Sequence, residues 1–182
     1  MLLVSARGLL DPNFFRTVII LCRHGEDEGT VGLVLNRRTD LTVEQALGDL
    51  PAADGRDEPL WVGGPVDGRS LWILHRRRDL VSPGIPIQDG LFFTPDPEVL
   101  NSILKTNGPD GKGVIFRLFV GYAGWDAGQL EKEIEEGAWT VVPAGPECIF
   151  SEAPEVLWQE MTIRSLLPCT QQPELVSNAR YN

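Results

Sequence analysis

The chain has 182 residues, 42% of them hydrophobic and 23% charged, which is the balance of one soluble globular domain. Lys and Arg number 16 against 26 Asp and Glu, and this net charge of −10 argues against direct binding to nucleic-acid phosphates. No apolar run approaches the about 20 residues of a membrane-spanning helix, and the N-terminal residues lack the pattern of a secretory signal. We therefore expect a cytoplasmic protein without membrane association.

Cysteine and histidine are too few and too scattered to indicate a metal site. Cys22, Cys148 and Cys169 are an odd number without CxxC spacing, which is typical of reduced thiols in the cytoplasm. The chain contains two histidines in all, so a histidine-rich metal site is not expected. We predict neither a bound metal ion nor a cofactor.

The first part of the chain is predicted to form a β-hairpin. Residues 17–23 and 30–36 are rich in β-branched residues, and a charged turn separates them. Thr42 and Gln45 have the spacing of a capping box, in which two side chains bond the first free N–H groups of a helix. A short helix that ends near Leu50 is expected there.

The rest of the chain alternates short strands with single helices. Strands are predicted at residues 60–62, 70–75, 91–94, 114–120 and 139–142. Asp96 and Pro97 suit the N-cap and the first position of a helix, and residues 154–167 have the pattern of an amphipathic helix. Residues 82–90 and 107–111 are predicted to be loops or turns, because Gly and Pro are concentrated there.

The segment 121–139 has the densest set of unusual residues. Its glycines follow an apolar strand directly, and glycine at that position marks a sharp turn or a close approach. Asp126 and Gln129 repeat the capping-box spacing, which predicts a strand-exit turn at 121–124 and a helix over 127–136. The glycine spacing matches no dinucleotide motif, so a structural turn is favoured over a phosphate cradle.

Polar residues and glycines at other predicted strand ends complete a candidate ligand-binding surface. Arg16 precedes one strand and Asn36–Arg37 ends the next, where a guanidinium is able to clamp a carboxylate or phosphate. The same arginines are able to cap carbonyls or to pair with surface carboxylates. Gly63–Gly64 indicates either a ligand-facing loop or a tight turn. The candidate residues are Arg16, Asn36, Arg37, Gly63, Gly64, Gly121, Tyr122, Gly124, Trp125 and Gln129.

Cys22 and His24 offer an alternative, catalytic interpretation. They are two residues apart on a predicted strand, so both side chains are expected on one face of the sheet. A thiolate activated by an adjacent base is the nucleophile of thiol-dependent hydrolases and redox proteins. A single cysteine in an apolar run is more often a small buried side chain, and that interpretation is favoured here.

Several motifs together resemble the YqgE/AlgH family of bacterial proteins, whose biochemistry is unassigned. They are Asp11-Pro-Asn-Phe-Phe-Arg-Thr-Val18, Leu21-Cys-Arg-His24, Gly32-Leu-Val-Leu-Asn-Arg37, Gly63-Gly-Pro-Val66, Leu74-His75 and the block from Gly121 to Trp139. The resemblance covers roughly residues 2–167. It implies a compact fold with a sheet curled into a pseudo-barrel, and a loose association with transcriptional regulation. Arg38 stands where the family usually has Pro, which loosens the turn after the strand.

These observations predict one mixed α+β domain over residues 1–168, followed by a flexible tail over 169–182. The sheet is expected to be largely antiparallel, with a few flanking helices. For function, we expect a cytoplasmic regulatory module that binds a protein or small molecule still to be identified, without direct nucleic-acid binding. The alternative is an enzyme that uses Cys22 with His24.

Overall fold

A computed structural model describes residues 1–25, 27–88, 90–106, 115–143 and 145–167. The strands are β1 (Leu2–Ser5), β2 (Val18–Gly25), β3 (Gly29–Val34), β4 (Arg38–Thr42), β5 (Pro59–Val62), β6 (Val66–His75), β7 (Ile85–Gln88), β8 (Leu91–Thr94), β9 (Phe116–Trp125) and β10 (Trp139–Val142). The helices are α1 (Val43–Ala46), α2 (Pro97–Thr106), α3 (Gln129–Glu135), α4 (Pro146–Ile149) and α5 (Pro154–Ser165). Within these ranges, no helix is both long and apolar enough to cross a membrane. The predicted turn at 107–111 and the predicted tail at 169–182 lie outside the described residues.

The strands form one large, mostly antiparallel sheet with the order β10-β1-β2-β3-β9-β6-β8-β7. Strand β5 pairs with β4 and runs parallel to β9. The sheet curls until Ile85, Pro86 and Ile87 of β7 face Leu21 and Cys22 of β2 across a surface depression. No ladder joins these two strands in the described part of the chain, so the sheet is curled but not closed. The predicted α+β class is confirmed.

The hairpin of β2 and β3 is confirmed, but three strands have no counterpart in the prediction. Strand β1 pairs with β2 and β10, β4 pairs with β5, and β7 pairs with β8. Each is four or five residues long, and Asp40 in β4 and Pro86 in β7 are residues that strands usually lack. The loop predicted at 82–90 therefore contains an edge strand, in which Pro86 is tolerated because an edge leaves N–H positions unpaired.

Glycine-rich residues 121–124 were predicted to form a strand-exit turn, and this is wrong. Strand β9 continues to Trp125, and Gly124 pairs with Val31 of β3. The chain instead changes partner at Gly121, which has a φ of 68°. Up to Val120 the strand pairs with β5, and from Ala123 it pairs with β3. Gly121 is thus the joint between the two halves of the sheet.

The predicted helix caps are confirmed in one helix and corrected in another. Thr42 and Gln45 form the complete capping box of α1, although this helix ends at Ala46 rather than near Leu50. Helix α3 begins at Gln129 and has Gly128, not Asp126, as its N-cap. The Gln129 side chain does accept a hydrogen bond from the Asp126 N–H at 3.0 Å, so half of the predicted box is present.

The core is divided into three apolar clusters by the curl of the sheet. Helix α5 covers the first, and it contributes the side chains Leu157, Trp158 and Met161. Helix α2 covers the second with Val99, Leu100, Ile103 and Leu104. The third cluster contains Trp125, Leu130 and Trp139 from the end of β9, α3 and β10. Each fully buried apolar side chain stabilises the fold by about 1.5–3 kcal/mol.

His75 is a fully buried, neutral side chain at the end of β6. Its Nε2 lies 2.8 Å from the carbonyl of Pro83, so this nitrogen carries the proton. Its Nδ1 accepts a hydrogen bond from the Arg77 N–H at 3.1 Å. Burial lowers the pKa of His75 below its ordinary value, against the opposing effect of the Pro83 carbonyl. Protonation would bury a charge and break the bond from Arg77.

We therefore expect acid to destabilise the protein through His75. The unfolded chain binds a proton below the ordinary histidine pKa of about 6.5 while the folded chain does not, so stability falls as the pH drops through that value. The measurement is the urea midpoint at about pH 8 and about pH 5, for the wild type and for His75→Gln. Gln keeps a donor for Pro83 and does not titrate. An equal loss of stability in both proteins would contradict the assignment.

Candidate functional site

The loop between β1 and β2 is tied down by the predicted site residues Asn36 and Arg37. Asn36 Oδ1 accepts a hydrogen bond from the N–H of Val18 at 2.9 Å, and its Nδ2 donates to the carbonyl of Arg16 at 2.9 Å. Arg37 Nη2 donates to the carbonyl of Pro12 at 2.8 Å. The structure thus brings three predicted residues together, but Asn36 and Arg37 are used to hold the loop.

The guanidinium of Arg16 lies over two aromatic rings. Its backbone has a φ of 53°, a left-handed conformation that is uncommon outside glycine. The guanidinium carbon lies 5.0 Å from the ring centre of Phe15 and 5.3 Å from that of Trp158. The Trp158 indole N–H donates to the carbonyl of Ser5 at 2.9 Å, which fixes the ring. Backbone strain is retained here to place one cationic side chain.

Arg16 borders a surface cavity of about 400 Å³ between the β1–β2 loop and α5. The lining residues are Arg7, Arg16, Trp158, Gln159, Thr162 and Ile163, and we call this cavity the Arg16 pocket. Its volume lies within the about 300–1,000 Å³ of small-molecule sites. Arg7 and Arg16 are exposed, and within the described ranges neither forms an ion pair with a carboxylate. The pocket therefore has two available cations and an aromatic floor.

Gly63, Gly64 and Gly121 form a backbone-to-backbone contact instead of a ligand cradle. A Cβ on Gly63 would lie 2.2 Å from the carbonyl oxygen of Gly121, and a Cβ on Gly64 would lie 2.2 Å from the carbonyl carbon of Tyr122. Gly63 also forms hydrogen bonds to two strands. Its N–H donates to the carbonyl of Val120 in β9, and its carbonyl accepts from the N–H of Val34 in β3, each at 2.9 Å. These glycines therefore allow two distant backbone segments to approach closely.

Trp125 and Gln129 belong to a partly buried hydrogen-bond network centred on a glutamate of α3. Glu133 Oε2 accepts hydrogen bonds from the indole N–H groups of Trp125 at 3.0 Å and Trp139 at 2.7 Å. Gln129 Nε2 donates to Glu133 Oε1 at 2.8 Å. Phe14, from the β1–β2 loop, packs on both indoles with ring centres 6.1 and 5.5 Å away. The network therefore supports the loop that presents Arg16.

Of the predicted site residues, Arg16 lines the pocket and the others do not. Tyr122 packs edge-on against Trp72, with ring centres 5.6 Å apart. Gly124 lies under the Tyr122 ring, whose Cε2 would be 3.1 Å from an added Cβ. Within the described ranges, no group of three or more His, Cys, Asp or Glu side chains is placed to hold a metal ion.

Cys22 does not have the surroundings of a catalytic thiol. Its side chain is 4% exposed, and its Sγ donates to the carbonyl of Ile20 at 3.7 Å. Burial raises the pKa of the thiol far above its ordinary value. His24 Nδ1 lies 2.7 Å from Thr30 Oγ1, and its Nε2 lies 3.4 Å from Glu131 Oε1. Both ring nitrogens are engaged elsewhere, so the thiol has no base beside it.

A bulge in β2 explains why the spacing of Cys22 and His24 was misleading. The pairing of β2 with β3 shifts between Leu21 and Arg23, so the two-residue alternation is broken at the cysteine. Cys22 points into the core, whereas the side chain of His24 is 46% exposed. The geometry gives no support to the predicted pair of nucleophile and base.

Sequence reasoning did not identify most of the Arg16 pocket. Arg7 lies in a turn without a motif, and Gln159, Thr162 and Ile163 lie on a helix that was recognised only as amphipathic. One usable signal was present, because Trp158 and Thr162 are four residues apart and therefore share a helix face. That face lies beside Arg16 because α5 packs against the β1–β2 loop, which is about 140 residues earlier in the chain. A local sequence pattern does not predict such a contact.

A family model described as AlgH-like matches residues 2–167 of the chain. The chain belongs to this family. A UPF0301 protein of Chlorobaculum tepidum is 40% identical over 164 residues, which are 90% of this chain and 84% of that protein. The resemblance to the YqgE/AlgH family is thereby confirmed.

Two solved structures have the same fold as this chain. The solution structure of the AlgH protein from Pseudomonas aeruginosa is 30% identical, with a TM-score of 0.71, and the match covers 97% of this chain and 91% of that one. The crystal structure of protein DIP2367 from Corynebacterium diphtheriae is 26% identical with a TM-score of 0.72, covering 92% and 86%.

Proposed function

We propose that this AlgH-like chain is a cytoplasmic, non-catalytic regulatory module that binds a small organic anion in the Arg16 pocket. The observation that supports it is a pair of exposed guanidinium groups, on Arg7 and Arg16, beside a cavity and without a carboxylate partner among the described residues. The chain as a whole has a charge of −10, so two available cations at one cavity stand out against the rest of the surface.

The lining of the pocket indicates the class of ligand. Arg7 and Arg16 suit a carboxylate, because guanidinium binds planar oxyanions through paired hydrogen bonds. Trp158 and Ile163, the latter 61% exposed, offer an apolar surface for the body of the ligand. The favoured ligand is therefore an aromatic or aliphatic carboxylate. Regulation would follow from this binding through a protein partner, and we expect no direct contact with nucleic acid or membrane.

Phenylacetate is a suitable probe, and 2-phenylacetamide is its uncharged counterpart. We expect phenylacetate to shift the NMR signal of the Trp158 indole N–H in a saturable way. Arg16→Met should weaken this binding by about tenfold or more, since hydrogen bonds to charged groups contribute about 1.5–3 kcal/mol. Met keeps the apolar stem and is no more strained than Arg at the left-handed position.

Arg69→Met is the matched control, because Arg69 is exposed on β6 and its loss changes the net charge equally. This variant should bind phenylacetate as the wild type does. Equal binding of the amide, an unchanged affinity in Arg16→Met, or the absence of a saturable shift would each refute the proposal.

A further inference from the structure

A second group of arginines surrounds the buried side chain of Arg117 on β9, and none of them lines the Arg16 pocket. Arg117 is 8% exposed, and its guanidinium stacks 3.8 Å from the ring centre of Trp61. Its Nη1 donates to the carbonyls of Leu35 at 3.2 Å and Ile149 at 3.1 Å, and its Nη2 donates to that of Ser151. The charge therefore meets carbonyl dipoles and an aromatic face, but no carboxylate.

Two further arginines, Arg76 and Arg38, lie near Arg117. The guanidinium carbons of Arg76 and Arg117 each lie 5.8 Å from the ring centre of Phe150. Arg117 pairs with Leu74 across β6 and β9, so Arg76 is its diagonal neighbour on the same face, about 7–8 Å away. Arg38 is paired with Trp61, the residue on which Arg117 stacks. Burial and then the charge of Arg38 lower the pKa of Arg117 to about 10.

The charges of this cluster are not balanced within the described ranges. No described carboxylate forms an ion pair with Arg38, Arg76 or Arg117. Arg76 Nε is buried and has no hydrogen-bond partner. A buried N–H of a charged group without an acceptor costs free energy, and like charges at this separation repel one another. Both costs are removed if an anion occupies the site.

We propose that Arg38, Arg76 and Arg117 form a binding site for a compact tetrahedral oxyanion, a phosphate group that is either free or the head of a phosphomonoester. Arg76 Nε supplies a hydrogen-bond donor without a partner, and Arg38 and Arg117 add positive charge nearby. Trp61 and Phe150 are already covered by arginines, so the site has no aromatic face left for the body of a large ligand. This distinguishes it from the Arg16 pocket, where the exposed side chain of Ile163 offers an apolar surface beside the arginines.

The test is the thermal unfolding midpoint in phosphate-free buffer during titration with sodium phosphate, with sodium chloride at equal ionic strength as the reference. We expect phosphate to raise the midpoint of the wild type beyond the effect of chloride, because a ligand that binds the folded state stabilises it. Arg76→Met should lower the apparent phosphate affinity by about tenfold or more. Arg69→Met, which removes an exposed arginine that belongs to neither site, should respond as the wild type does.

A second readout does not depend on any variant folding. The NMR signal of the Arg76 side-chain Nε–H in the wild type should move as phosphate is added, because this N–H gains an acceptor. Phenyl phosphate identifies the source: an equal response supports a phosphomonoester, and a response to inorganic phosphate alone supports the free anion. A wild-type midpoint that responds equally to phosphate and chloride, an unmoved Arg76 signal, or an unchanged affinity in Arg76→Met would overturn the proposal.

Discussion

Gly64→Ala should lower the free energy of unfolding by about 3 kcal/mol or more, enough to unfold a marginally stable domain. An added Cβ would lie 2.2 Å from the carbonyl carbon of Tyr122 and 2.3 Å from the nitrogen of Ala123. Both are backbone atoms of β9, and Ala123 is paired with Gly32 of β3. They are unable to withdraw without breaking the ladder that joins the two halves of the sheet.

Gly68→Ala is the control for this substitution. Gly68 lies in the neighbouring bulge of β6, and a Cβ built on it meets no atom within 4 Å. The free energy of unfolding of Gly68→Ala should remain within about 0.5 kcal/mol of the wild-type value. Urea unfolding followed by circular dichroism measures both variants. If Gly64→Ala and Gly68→Ala have the same midpoint, the close approach of the two chain segments is not what holds the joint together.

Arg117→Met should be the second most damaging change, lowering the free energy of unfolding by about 3 kcal/mol. The substitution keeps an apolar stem against Trp61 but leaves the carbonyls of Leu35, Ile149 and Ser151 without their donor. Each buried group left unpaired costs about 1–3 kcal/mol. Release of a desolvated charge offsets part of this loss, since burial already lowers the pKa of Arg117 to about 10.

Arg117→Lys separates charge from geometry in the same experiment. Lys keeps the positive charge but lacks the planar fork that reaches three carbonyls, so an intermediate loss is expected. Arg69→Met again serves as the control for net charge, and it should leave the urea midpoint close to that of the wild type. Full stability of Arg117→Met would show that the loops at Leu35 and Ser151 are held by other contacts.

The two arginine sites explain different parts of the sequence. The β1–β2 loop, Asn36, Arg37 and the tryptophan network around Glu133 all support the position of Arg16, so much of the family signature is scaffold for one pocket. Arg117 instead joins β9 to two other chain segments, through the carbonyl of Leu35 and the carbonyls of Ile149 and Ser151. Arg38 and Arg76 lie close to it without such bonds. The scaffold residues should affect stability, whereas Arg7, Arg16 and Arg76 should affect ligand affinity.

The sequence by itself determined the α+β class, the β2–β3 hairpin, the capping box of α1 and the extents of α2, β10 and α5 to within a few residues. These features depend on local chemistry: β-branched runs, caps and apolar periodicity act over a few neighbouring residues. The sequence was also enough to recognise the family, because the motifs and their order are read directly from the residues.

Only the tertiary structure decided whether the glycines and arginines serve as sites or as supports. Gly121 became a joint rather than a turn because Gly63 and Gly64 press on it from a segment about 60 residues away, and packing against that segment is favoured over a local turn. Arg16 acquired a pocket from α5, and Arg117 is buried against Trp61 and the carbonyls of Ile149 and Ser151. Partners this distant in sequence leave no local pattern, so burial, pairing and exposed charge had to be read from the fold.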